Sequence, residues 1–354
     1  MASDTGSIPP PLPEIRLDFY GVGVRIAGSC PGVIGDLRRD FSWFAASNQA
    51  STPNFFWLLE IGPKEISRLG STSGLPVFKT RGFAAYERHG QRLVRYSDGS
   101  EASFDFKMGA GRIRAQTPER ARELAYLAIL SRVGEALDRR GLHRVHALGL
   151  EQGGRAALVL LPSGSGKSSL ALEIFRQSSA VRFLSEDSPL VCAHGLVHPF
   201  PLRWSLRPDA DLSAVPENFI RRFQREGYGA KRLIDAEFFH GRIAEAAPLR
   251  RIFLGRRGGR PAKAAPVSSW RAFASLMDNL VIGRGLPQMA EYMAGVGPGA
   301  LRRLAPIALS RARTARVLAR KSLAYRLDLG ASPAEGAKIL LNCLEDDNGP
   351  ETGF

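Results

Sequence analysis

Apolar and polar residues alternate from Ile15 onward. Ile15, Leu17 and Phe19 fall on one face of an extended chain, and Val22 to Ile26 repeats the same period of two. The pattern returns in Arg92 to Tyr96 and Ala102 to Phe106, which flank Ser97-Asp98-Gly99-Ser100. An Asp-Gly pair between alternating runs predicts a hairpin, because the turn needs backbone conformations that Asp and Gly tolerate. Residues 15–114 therefore read as a small β-rich N-terminal domain, and no chemistry-bearing motif falls within it. At Thr117 the period lengthens. Thr117 is placed to cap a helix, Pro118 to open it, and Glu119 and Glu123 to favour its positive end. Leu124, Leu127, Leu130, Val133 and Leu137 form its apolar stripe, and Gly141 fits the stop.

Two apolar strands follow, over 145–150 and 156–161, with Gln152-Gly153-Gly154 as the turn between them. The second runs straight into Pro162-Ser163-Gly164-Ser165-Gly166-Lys167-Ser168-Ser169. A helix over 168–177 and a short strand over 181–184 come next, ending in Ser185-Glu186-Asp187. Strand, small-residue loop, helix, strand and acidic pair is the order of a nucleotide-binding α/β core. Beyond residue 210 the pattern reads as mainly helical and basic, with helices over 272–282 and 288–293 and a basic helical run from Arg302 to Arg326. Residues 1–14, rich in Pro and small polar residues, read as a loose tail, and 346–354 as a frayed end. Between them, 115–345 form the larger domain.

Composition narrows the classes. With 44% apolar residues the chain can build a sizeable core. A formal net charge of +15 favours an anionic partner without choosing which one. Cys30, Cys192 and Cys343 are few and widely spaced, with neither zinc spacing nor a disulfide framework, which suggests a reducing, cytoplasmic setting. No apolar run approaches a membrane span, and the first residues do not look like a signal peptide, so no membrane association is expected.

The loop carries the chemistry. Its small residues let successive backbone N–H groups approach phosphate oxygens, and the positive end of the following helix adds to that field. Lys167 supplies a point charge to the phosphates of ATP, and Ser168 offers a hydroxyl to Mg²⁺. Leu161 stands where a Walker A loop has its first Gly. Glu186 and Asp187, 19 and 20 residues after Lys167, can serve as metal ligand and base. Arg203 and Arg207 can steady a γ-phosphate or an acidic substrate. His194 and His198 read as surface histidines of a hairpin.

The stretch Val145-His146, Leu160 to Leu170, Phe183 to Asp187 and Pro199-Phe200-Pro201 resembles the HPr serine kinase family and its relatives, including kinases that tailor peptides such as lasso peptides. The resemblance covers residues 143 to about 207. It implies a P-loop core of the phosphoenolpyruvate carboxykinase type, unlike that of eukaryotic protein kinases. It implies that His146 faces the transferring phosphate, that Asp187 helps hold Mg²⁺ with Ser168, and that Glu186 takes the substrate hydroxyl proton. Glu186 replaces the first Asp of the family's pair. The Gly-rich signature that follows the core in bifunctional HPr kinase/phosphorylases is not visible after residue 207. The resemblance therefore points to relatives acting on peptides or small hydroxyl compounds. Ser163 to Ser169, Arg203 and Arg207 form the expected nucleotide site, and His146, Lys167, Glu186 and Asp187 the catalytic set.

Two rival classes follow from the same residues. A nucleotide-gated binding module would use ATP only to order a partner surface. A nucleic-acid-associated ATPase is disfavoured, because the basic run from Arg302 holds one aromatic residue, Tyr325, where single-strand binders interleave several. An acidic peptide remains a partner for that run. The acceptor and the oligomeric state, a homo-oligomer included, stay open.

Overall fold

A computed structural model describes residues 11–46, 53–62, 75–225, 229–257, 261–282 and 298–345. The expected tails beyond residues 10 and 345 and the helix expected over 288–293 lie outside these residues. Two compact units form. Of the described residues, one unit takes those up to 38 and those within 44–129; the other takes 39–43 and those from 130 on.

The first unit is built on one sheet. Its strands are β1 (Glu14–Phe19), β2 (Val22–Gly28), β3 (Phe55–Ile61), β4 (Phe78–Lys79), β5 (Phe83–Arg88), β6 (Gln91–Tyr96), β7 (Glu101–Asp105) and β8 (Ala110–Ala115). They lie in the order β1-β2-β3-β8-β7-β6-β5-β4. Helix α1 (Pro31–Asp40) supplies the crossover that lets β3 run parallel to β2, and β8 is parallel to β3 in turn. The expected hairpin is β6–β7, with Gly99 at φ 86° in its turn. Glu14 is already in β1, where it accepts from Arg16 and Arg25, so the first strand starts inside the stretch read as tail.

Helix α2 (Pro118–Arg139) begins as its sequence dictates: the Arg120 N–H donates to the Thr117 hydroxyl at 3.2 Å, and Gly141 past its end takes φ 77°. The boundary between the two units falls within this helix, at 129/130, and not at 114/115.

The second unit is a mixed α/β assembly around β9 (His143–Arg144), β10 (Leu148–Gln152), β11 (Arg155–Leu160), β12 (Arg182–Ser185), β13 (Leu190–Val191), β14 (Leu196–His198), β15 (Trp204–Leu206), β16 (Ile220–Arg225), β17 (Gly229–Ile234), β18 (Ala247–Arg256), β19 (Lys263–Pro266) and β20 (Leu323–Asp328). Its helices are α3 (Lys167–Gln177), α4 (Ser269–Leu276) continued by a π turn (Met277–Val281), α5 (Pro298–Lys321) and α6 (Pro333–Glu345). The main sheet runs β12-β10-β11-β18, with β20 and then β19 beyond β18, and β14-β13-β9 along the start of β18. β15, β17 and β16 form a separate small sheet.

Both faces of the main sheet are covered, and the pleat sorts the side chains. Ala157, Val159 and Leu161 face the layer of Leu170, Ile174 and Leu340 from α3 and α6. Ala156, Leu158 and Leu160 face Ala272, Leu276, Ala315 and Leu318 from α4 and α5. The continuous apolar run 156–161 therefore marks a strand buried on both sides.

The mainly helical reading beyond residue 210 is corrected by β16 to β20. Ile220-Arg221-Arg222-Phe223 and Lys231-Arg232-Leu233 carry little apolar periodicity, because their sheet is half exposed. The basic run also divides: α5 stops at Lys321, and Leu323 begins β20.

Candidate functional site

β11 and β12 are each antiparallel to the β10 between them, hence parallel to one another. Their C-terminal ends therefore reach the same edge of the sheet. This topology carries the loop after Leu160 and the acidic pair after Ser185 to one place.

The loop geometry follows from its glycines. Gly164 and Gly166 take φ 77° and 95°, and an added Cβ at either would meet nothing within 4 Å, so the loop is open on that side. Ser165 turns back, donating from its N–H to the Pro162 carbonyl at 3.2 Å and from its hydroxyl to the same oxygen at 2.5 Å. Gly166 is the N-cap of α3, and no side chain caps that helix. Ser163 is exposed, and Ser168 and Ser169 lie half-buried in the first turn of α3. Leu161, the departure from the loop consensus, is buried against the neighbouring strand. A Cβ on Gly255 of β18 would stand 2.6 Å from Leu161 Cδ2, so the glycine at 255 makes room for the leucine at 161.

Lys167 is buried at the start of α3, and its ammonium lies 2.6 Å from Asp187 Oδ1 and 3.2 and 3.1 Å from the two ring nitrogens of His146. His146 Nδ1 is itself 3.3 Å from Asp187 Oδ1. Ser168 donates to Glu186 Oε1 at 2.6 Å. The two carboxylates thus divide: Glu186 faces the Ser168 hydroxyl, and Asp187 faces the lysine and the histidine. Ser185 shapes the turn that presents them, its hydroxyl accepting from the N–H groups of Asp187 and Ser188 at 3.4 and 3.1 Å.

Their electrostatics differ accordingly. Burial, and then the Asp187 charge, push the Glu186 carboxyl up to about 7, against the pull of Lys167 and the Ser168 hydrogen bond. Burial also acts to raise Asp187, but the Lys167 ammonium and His146 outweigh it and hold that carboxyl well below its usual range.

His146 lies in the bend before β10, and not on the strand expected there. Three backbone bonds fix its segment: Val145 N–H to the Pro189 carbonyl, His146 N–H to that of Asn279, and Ala147 N–H to that of Asp187, at 3.1 to 3.2 Å. The Asn279 carbonyl comes from the π turn, a feature that nothing in the sequence announces and that recurs at functional sites.

Arg203 and Arg207 are engaged elsewhere. Arg203 is buried in an ion pair with Asp40 and lies over the Phe223 ring. Arg207 pairs with Asp209 at 3.3 Å, both largely exposed. Their partners do not support the expected phosphate contacts. His194 sits in the exposed turn between β13 and β14, and His198 is half-buried in β14.

The site has room at the loop, unbonded first-turn N–H groups, a buried cation and oxygen donors from Ser168, Glu186 and Asp187. These are what a nucleotide phosphate with a hard divalent cation requires, since Mg²⁺ takes few protein oxygens and completes its shell with phosphate and water. Among the described residues no helix is long and apolar enough to cross a membrane. A scan against protein-family models and a search of curated proteins find no match to this chain.

Proposed function

We propose that the protein is an ATP-dependent kinase that moves the γ-phosphate to a hydroxyl, a serine hydroxyl first among the options, on a peptide or small molecule. The observation that carries this reading is the meeting of Lys167, His146 and Asp187 within 3.3 Å at the mouth of the Gly164–Gly166 loop. A P-loop core of the carboxykinase type is part of the proposal.

In the proposed reaction the loop N–H groups and Lys167 hold the phosphates, and His146 stands beside the transferring group. The acceptor oxygen bonds to the γ-phosphorus as the bond to the bridging oxygen of ADP breaks, and the hydroxyl proton passes to a carboxylate. Bound Mg²⁺ would supply charge neutralisation at the phosphate oxygens. Two divisions of labour are open to the acidic pair. A Glu186 carboxyl near 7 suits a base at neutral pH and leaves the ionised Asp187 to the metal with Ser168. The Ser168–Glu186 hydrogen bond favours the exchange, with Glu186 on the metal side and Asp187 as base.

Incubation with ATP, Mg²⁺ and serine-containing acceptors, followed by ADP release and acceptor mass, tests the reading. Acceptor-dependent ADP with a matching phosphate gain is expected, and Lys167→Ala should abolish it. Turnover that survives Lys167→Ala would refute the kinase. If Glu186 is the base, Glu186→Gln stops transfer while Mg²⁺-dependent ATP binding persists; under the exchange, Asp187→Asn behaves so instead. ATP binding with no transfer to any acceptor would favour a nucleotide-gated binding module.

A further inference from the structure

Helix α5 is 24 residues long, contains seven Arg or Lys, and contains no Asp or Glu. An ordinary solvated helix face mixes the two signs. At 100° per residue, Arg302, Leu309, Arg313, Arg316 and Arg320 fall within an arc of roughly 60° and extend over about 27 Å. All five are exposed, while Ile307, Arg311, Thr314, Ala315 and Leu318 on the opposite side are buried. Among the described residues no carboxylate meets Arg302, Arg313, Arg316 or Arg320.

Exposed apolar side chains accompany this stripe. The Val267 N–H donates to the Ala324 carbonyl at 2.9 Å, and Arg311 Nη1 donates to the Leu280 carbonyl at 2.7 Å. α4 and its π turn therefore run antiparallel to α5. Trp270, 70% exposed, lies at the end of this hairpin nearest Arg320, and Ile282, 64% exposed, at the end nearest Leu309, which is 53% exposed. Arginine and tryptophan on an accessible surface are the side chains that anchor protein interfaces.

From this we infer that the outer face of the α4–α5 hairpin docks an acidic polypeptide segment, through which the acceptor of the proposed kinase is held. Guanidinium groups at 313, 316 and 320 match carboxylates spaced at one helical turn on a partner, each pair able to form a two-point hydrogen bond. Among the described residues Trp270 is the one largely exposed aromatic side chain of the hairpin, where single-strand binders interleave several, and Trp270 stands at the opposite end from Ile282 and Leu309, so the three do not form one continuous apolar face to enter a lipid surface. Naming the partner as the acceptor rests on the kinase reading; the docking itself does not.

The test uses the whole chain and a fluorescein-labelled peptide of about 18 residues, the length of the stripe as a helix, with Glu at one-turn spacing. Binding is followed by anisotropy without nucleotide. Arg313→Glu/Arg316→Glu/Arg320→Glu should weaken it about tenfold or more, and Leu309→Ser to a smaller extent. Lys79→Glu/Arg81→Glu/Lys107→Glu, which changes net charge equally at exposed positions of the other unit, should leave it unchanged. Thermal melts confirm that each variant folds. No binding, or an equal loss in both triple variants, would overturn the proposal. So would an oligonucleotide or an anionic vesicle that binds the stripe more tightly and displaces the peptide. Lys167→Ala should retain peptide binding, so a failure of the kinase reading appears as missing ADP with docking intact.

Discussion

Glu186 is a buried carboxyl placed against a second carboxylate, and its ionisation should be visible in the stability of the ligand-free protein. Its folded pKa of about 7 lies above its ordinary 4.5, so the folded state holds the proton more tightly than the unfolded state does. The stability this contributes is fully present below about pH 4.5 and is lost as pH rises through about 7. Glu186→Gln removes the titration and keeps an oxygen for the Ser168 hydroxyl to donate to. Urea midpoints measured without nucleotide or metal should therefore agree for wild type and variant near pH 4.5. Above about pH 7.5 the variant should be more stable by on the order of 3 kcal/mol. A gap that does not change with pH would mean that Glu186 ionises as an exposed carboxyl does. Asp187 should behave in the opposite sense. Its side chain keeps 38% of its surface exposed, so solvent blunts the effect, but its pairing with Lys167 stabilises at neutral pH and is lost on acidification.

At the scale of elements, the loop is held by a packing relation between two parallel strands. Gly255→Ala would place a methyl 2.6 Å from Leu161 Cδ2 and 2.8 Å from its Cγ, on a side chain that is itself buried. The cost should be about 1–3 kcal/mol in the wild-type chain. In a Leu161→Ala background the same methyl fills the space vacated, and its cost should nearly vanish. A double-mutant cycle by urea unfolding measures that coupling, and additivity would show that the strands relax around both changes. The same locality explains what the sequence could reveal. The β6–β7 hairpin, α2 with its Thr117 cap, and the run from β11 through the loop to β12 are written in residues that are neighbours along the chain. The Gly255–Leu161 relation joins two strands, β11 and β18, that are far apart along the chain. β16 carries arginines on both sides, Arg222 towards solvent and Arg221 towards the buried Asp40 and Asp235, so no apolar period shows. The π turn that bonds His146 leaves no mark in residue type. Arg203 reads as a phosphate ligand until Asp40, 163 positions earlier, is found beside it.

Across the whole molecule, residues 39–43 belong to the second unit although they lie inside the stretch read as the N-terminal domain. Their role there is electrostatic. Asp40 is fully buried and accepts from both Arg203 and Arg221. Asp235, also buried, accepts from Arg39 and Arg221 at 2.6 Å. The guanidinium groups of Arg203 and Arg221, withdrawn from water in this way, depend on the carboxylates that face them, and removing one such carboxylate costs about 3–5 kcal/mol. Asp40→Ala should lower unfolding stability by that amount, whereas Asp209→Ala, which breaks an exposed pair with Arg207, should cost well under about 1 kcal/mol. The same reasoning sets where the larger unit can be cut. A fragment of residues 115–345, the domain as its sequence suggests, retains Arg203 and Arg221 but loses Asp40 and Arg39. It should unfold at lower urea than the second unit does within the intact chain, with a deficit close to that of Asp40→Ala or greater. A fragment that matched the intact chain would show that the pairs with residues 39 and 40 are dispensable, and that the boundary near residue 115 is sufficient for an independent fold.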